Sequence, residues 1–185
     1  MPRKQKIEFE KVAQGLRLHL INHGASGAGD ACKFLDISQS TFSRTIARIQ
    51  KDILIAGRAG QTRYALTRKI PGVGSDFPIH TINERGQTSK SGTLHAVHPR
   101  GFYFQPANAA ASAGQFFNDL PYFLDDLRPN GFLGRLIPKQ HPELDLPKNI
   151  NSWSVDDCVK YLTRFGADLI GNFILGDAAF QLYLE

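Results

Sequence analysis

The sequence predicts an α+β protein built in two parts: three helices closed by a β-hairpin, then a small antiparallel β-meander plus helices. Three observations predict it. Apolar residues recur at helical spacing as far as Ile49 and then switch to strand-like alternation. Charge is split: residues 1–70 hold 13 Lys and Arg against 5 Asp and Glu, a net +8, while residues 71–185 hold 9 against 12, a net −3. Between the two lies "KIPGVGSDFP", Lys69 to Pro78, whose Pro and Gly mark a chain break, so a linker is expected at 71–77. The domains are therefore expected at 1–70 and 78–185.

The first helix is expected from Glu8 to Asn22, with Phe9, Val12, Ala13, Leu16 and Leu20 on one face, and "GASGAG" (Gly24 to Gly29) breaks it. Asp30 can cap a second, short helix carrying Ala31, Phe34 and Leu35. In the third, "DISQSTFSRTIARI", Ser38 is the N-cap accepting from the Thr41 amide, Ile37 staples onto Phe42, and the helix starts at Gln39. Its phase puts Phe42, Ile46 and Ile49 in one arc and Ser40, Arg44, Arg48 and Lys51 on the other side. No carboxylate occurs between Asp36 and Asp52, although an ordinary solvated helix interleaves Glu and Lys. Ile53, Leu54 and Ile55, the turn "AGRAGQ", and "TRYAL" with Tyr64 and Leu66 on one side then make a β-hairpin. Three helices followed by a hairpin describe a winged helix-turn-helix.

In the second part "FPIHTI", "GTLHAV" and "GFYFQ" read as three strands of an antiparallel meander. The pattern turns helical from Ala107, with Pro121 expected at a helix N1 and Gly131 following "LDDLRPN". Ser154 and Asp157 form a cap for a helix that runs through Phe165 and stops at Gly166.

No apolar run approaches the length of a membrane span, and "MPRKQKIEFEK" lacks a signal-peptide h-region, so the expected location is cytoplasmic and no membrane partner is implied. Cys32 and Cys158 lack metal-ligand spacing and are expected as buried fillers.

A cationic, carboxylate-free helix inside a +8 segment points to double-stranded DNA. Gln39 and Thr41 sit in the first helical turn, where side chains reach base edges, and Arg44 can fork to a guanine. Ser38, Ser40 and Ser43 are short enough to admit close approach to the backbone. Arg48, Lys51, Arg58 and Arg63 are assigned to phosphates, with Arg58 at the tip of the wing, and Arg3, Lys4 and Lys6 to an N-terminal arm. Arg58→Ala should then weaken all sequences alike. The competing readings are a protein-interaction or autoinhibitory module docking an acidic partner, and a stand-alone winged-helix transcription factor. A homodimer fits a palindromic operator.

No catalytic constellation assembles. His95 and His98 are three apart on an expected strand and point to opposite faces. Asp125 with Asp126, and Asp156 with Asp157, diverge as adjacent helical residues, and Asp156 and Asp157 sit where a helix N-terminus favours negative charge, so capping explains them. Gly171 and Gly176 have a phosphate loop's interval, but Asp177 and Ala178 stand where it needs Lys and Ser or Thr. No catalytic, cofactor-binding or metal residue is expected in this chain.

Several ordered pieces carry a resemblance: the "GTLHAVHPRGFYF" meander, Leu120 with Pro121, the Arg-Pro-x-Gly turn at Arg128 to Gly131, "WSVDDCVKYL" at Trp153 to Leu162, and "GADLIGN" at Gly166 to Asn172. Over residues 77–183 these resemble the N-terminal subdomain of the HipA family of serine/threonine kinase toxins, and of its YjjJ-type branch, in which a helix-turn-helix is fused ahead of the kinase. The resemblance implies a toxin-antitoxin setting, transcription regulation at an operator, and an antitoxin or the downstream kinase core as partners. It also implies that the Gly-rich ATP loop, the catalytic Asp and the magnesium-binding Asp follow this segment. ATP and magnesium are thus expected only for that core, and the chain is expected to be a non-catalytic N-terminal piece of the longer protein.

Overall fold

The computed structural model describes residues 3–57, 61–108, 114–168 and 171–185, with seven α-helices and eight β-strands among them. The chain divides into two compact units, Met1–Arg68 with Ala96–Gly101, and Lys69–His95 with Phe102–Glu185.

The first unit opens with α1 (Arg3–His23), β1 (Ser26–Gly27), α2 (Ala28–Leu35) and α3 (Gln39–Ile49), and closes with β2 (Ile53–Ala56) and β3 (Arg63–Leu66). Helix α1 runs longer than its apolar stripe predicts: the backbone given to an N-terminal arm is helical from Arg3 onward. Its inner face supplies Ala13, Leu16 and Leu20 to a core completed by Ala31, Phe42, Ile46, Ile49, Ile53 and Leu66, against which Ile37 and Tyr64 pack. Phe42 meets the edge of Tyr64 at 5.0 Å between centroids, an arrangement that suits the ring quadrupoles.

One expectation is corrected here, and two features are new. Asp30 does not cap α2: Gly27 holds the N-cap position, and Asp30 lies inside the first turn, where its charge still favours the helix dipole. Phe34 is 59% exposed and leans on the His19 and His23 rings rather than entering the core. The "GASGAG" break contains strand β1, which pairs antiparallel with β3 through Ser26 and Tyr64 and gives the sheet the order β1-β3-β2. Two residues leave no periodicity to detect.

Past Leu66 the chain gains further partners from a distant hairpin. The amides of Arg68 and His98 donate to the carbonyls of Ala96 and Leu66, and Thr67 bridges Val97. Residues 96–101, expected in the second domain, therefore belong with the first unit.

The second unit is a five-stranded sheet of order β7-β6-β5-β4-β8, from β4 (Asp76–Ile82), β5 (Thr88–Ala96), β6 (Phe102–Pro106), β7 (Gln115–Phe117) and β8 (Phe173–Leu175). The meander order β6-β5-β4 is present, and β7 and β8 add the two edges. Residues 71–77 do not form a separate linker. Ile70 is buried and closes a turn with Gly74, and β4 has begun by Asp76.

The helices are α4 (Tyr122–Asp125), α5 (Gly131–Gln140), α6 (Val155–Phe165) and α7 (Asp177–Leu184), with α6 and α7 packed on each other and on β8. Pro121 is the N-cap of α4 rather than its first residue, and Gly131 opens α5 rather than ending a helix. Ser154 and Asp157 form the expected capping box of α6, each side chain bonded to the other's backbone amide. Gly176 joins β8 to α7 at φ 88°, where any Cβ would press within about 3.0 Å of Thr163, so only glycine fits.

Candidate nucleic-acid interface

Helix α3 starts at Gln39 because Ser38 stops the chain in extended geometry and accepts from the Thr41 amide at 3.2 Å. The Ser38 hydroxyl also lies 2.9 Å from Ser40 Oγ and 3.0 Å from Thr41 Oγ1, so the first turn is knitted by hydroxyls. Phe42, Thr45, Ile46 and Ile49 face the core, and Thr45 returns its hydroxyl to the Thr41 carbonyl, so this buried hydroxyl is paired.

The other face is open. Gln39, Ser40, Ser43, Arg44, Arg48 and Lys51 are exposed, and Thr41 is half-buried at the edge of the core. Arg44 Nε donates to the Ser40 carbonyl at 3.2 Å, which holds the side chain along the helix and leaves its two terminal amino groups as a fork. Arg48 lies over the Phe9 ring of α1 at 4.6 Å, a cation–π contact that fixes its stem against the helix pair. Arg63 is exposed on β3, cross-strand from Ala56. Arg58 lies outside the described residues.

Ala47, exposed one turn beyond Ser43, belongs to the same surface, and its side chain carried no chemical signal in the sequence. The carboxylates that bound the stretch are Asp36, in the turn before Ser38, and Asp52, which pairs with Arg17 of α1 at 3.2 Å. Both partners of that pair are exposed, so it contributes little stability, but it neutralises the one acidic group that follows Lys51.

The second unit assembles no comparable cationic face among its described residues. Asp76 and His95 meet across β4 and β5 at 2.5 Å, and Ser75 donates to the other oxygen of the same carboxylate at 2.8 Å. Burial pushes the Asp76 carboxyl upward, but the bonds from His95 and Ser75 outweigh it and hold it below its ordinary value. The pair is a hydrogen-bonded staple across the two strands; His95 Nε2 is buried with no hydrogen-bond partner among the described residues. His95 and His98 fall in different units. Asp125 ends the short helix α4 and accepts from Arg128, whose Nη2 also reaches Asp119. Those two carboxylates raise the Arg128 guanidinium despite its burial, and pin the Arg-Pro turn at the start of α5. Cys158 is buried as expected, whereas Cys32 is only partly covered. Among the described residues no cluster of three or more His, Cys, Asp or Glu is arranged for a metal, and no helix is long and apolar enough to cross a membrane.

Residues 73–184 match the family model described as YjjJ-like toxin, middle domain. Toxin YjjJ of Escherichia coli (strain K12) is 32% identical over 166 residues, a match that covers 89% of this chain and 37% of that protein. The chain thus spans well under half the length of this relative. No solved structure matches.

Proposed function

The chain belongs to the YjjJ-like toxin family, and from that premise we propose that its first unit is a winged helix-turn-helix that binds double-stranded DNA and regulates transcription. Its second unit, on this reading, is the non-catalytic α+β subdomain that joins the DNA reader to a HipA-like kinase core. The observation that carries the DNA reading is the division of α3: an apolar inner face, and an outer face of short hydroxyls, Gln39 and guanidinium groups with no carboxylate from residue 37 to residue 51. The order β1-β3-β2 beside three helices supports the winged assignment, with the β2–β3 hairpin as the wing.

In this reading the N-terminal half of α3 enters the major groove. Gln39, Thr41 and Arg44 face base edges; Arg48, Lys51, Arg58 and Arg63 neutralise phosphates. Four phosphate contacts predict that log K falls with log salt at a slope of roughly −3.6. Fluorescence anisotropy on labelled duplexes across a salt series tests it. An interaction module would instead show no preference among duplexes under competition, and retention of no duplex at low salt would refute DNA binding altogether.

A HipA-like serine/threonine kinase as the whole protein, with ATP and magnesium bound by residues beyond this segment, is part of the same proposal. So are an antitoxin partner and a homodimer on a two-fold operator. Phosphate transfer by the full-length protein, and its absence from residues 1–185 alone, is the corresponding measurement.

A further inference from the structure

Beside the proposed DNA face lies a cleft of about 510 Å³, walled by α1, the Asp36–Ser38 turn and α3. Its volume falls in the range of small-molecule sites, about 300–1,000 Å³. Arg44 and Arg48, one helical turn apart, supply guanidinium groups from α3. Phe9, Val12 and Ile37 supply an apolar lining from α1 and the turn. Glu8 and Asp36 add two carboxylates.

The carboxylates are what DNA binding leaves unexplained. Acidic groups on a phosphate-binding surface repel the duplex, yet two of them line this cleft. Asp36 holds φ 50° because it is the left-handed C-cap of α2, its amide donating to the Cys32 carbonyl, and its exposed carboxylate lies in the cleft wall. A ligand that uses the lining carries an anion for the arginines, a flat apolar body for Val12 and Ile37 beside the Arg48-covered Phe9 ring, and hydroxyl or amine donors for the carboxylates. The geometry points to a nucleoside monophosphate: phosphate on Arg44 and Arg48, base on the apolar lining, ribose hydroxyls on Asp36 or Glu8. Ser38, Thr41, Arg44 and Arg48 line the cleft and also belong to the proposed DNA face, so nucleotide and duplex exclude each other. That second half rests on the DNA reading; nucleotide binding does not.

Isothermal titration of the full chain with AMP, ribose 5-phosphate and inorganic phosphate separates the parts. Saturable AMP binding is expected, stronger than that of either truncated probe and weakened about tenfold or more by Asp36→Asn or Glu8→Gln. Asn tolerates the left-handed turn, so the first variant keeps the backbone. Both variants should bind duplex DNA at least as tightly as the parent, since each removes a negative charge. Val12→Phe should fill the cleft and abolish AMP binding while the circular-dichroism melt stays cooperative. No saturable binding at millimolar AMP by folded protein would overturn the site, as would inorganic phosphate binding as tightly as AMP. AMP binding with this variant pattern but no competition with bound duplex would overturn the exclusion alone. The same AMP pattern in a chain that retains no DNA would remove the DNA reading and leave the nucleotide site standing.

Discussion

Replacing Ser38 separates the structural role of the α3 cap from its proposed role at DNA. Ser38→Ala removes the acceptor of the Thr41 amide and the two neighbouring hydroxyl contacts at 2.9 and 3.0 Å. Ser38 and Ser40 are exposed and Thr41 only half-buried, so water re-satisfies these groups and the penalty of a buried orphan does not arise. The loss is that of an N-cap, about 1 kcal/mol. In a unit of this size that lowers the melting temperature by roughly 4–8 °C. Ser38→Asp keeps a cap acceptor and adds a charge the helix dipole favours, so stability is retained. The same charge faces the duplex in the proposed complex, so affinity should fall and the salt dependence should change. Urea denaturation followed by circular dichroism is the assay for the first unit, because the single tryptophan, Trp153, belongs to the second. An alanine variant as stable as the parent would refute the cap argument. An aspartate variant that binds duplex as tightly as the parent would refute the placement of this helix end against DNA.

Arg44→Ala should cost about 1–3 kcal/mol on a preferred site and relax discrimination at one base pair, whereas Arg63→Ala should weaken all duplexes alike and reduce the salt slope by about one; competition binding with single-base variants of the site distinguishes them. Acid should act on the two units in different windows. His19 is held below the ordinary histidine value of 6.5 by burial and then by His23, against Asp30, and His98 is lowered by burial and then by Arg68. Both favour the neutral ring in the folded state, so the first unit keeps its full stability above about pH 6.5 and loses stability as pH falls below it. Asp76 is lowered from 3.8, so its contribution to the second unit is present above that value and lost as pH falls further; a His19→Gln, His98→Gln variant should flatten the first loss only, as read by pH-dependent urea midpoints. Gly92→Ala should destabilise the second unit by about 1–3 kcal/mol, because its Cβ would meet the Phe104 ring and the Gln105 carbonyl on β6, and the tryptophan-monitored transition reports it.

The sequence by itself determined the local elements whose signals lie within a few residues. The Ser38 cap, the start at Gln39 and the burial of Phe42, Ile46 and Ile49 follow from hydroxyl placement and a 3.6-residue stripe; the capping box at Ser154 follows in the same way. Charge distribution along the chain was equally legible, because it is a property of composition. Tertiary structure alone decided the remainder. Strand β1 is two residues long and exists only because β3 offers it a partner, and β8 is a strand because β4 has a free edge. Phe34 and Phe42 are the same residue type in neighbouring helices, yet one is exposed and the other buried, since the difference is set by what packs opposite. Residues 96–101 join the first unit through hydrogen bonds to Leu66 and Arg68, some 30 positions away in sequence. The cleft beside α3 likewise brings Glu8 and Phe9 to Asp36 and Arg48 across the crossing of two helices. Such contacts depend on loop closure and on the shapes of packed faces, quantities that no short window of sequence contains.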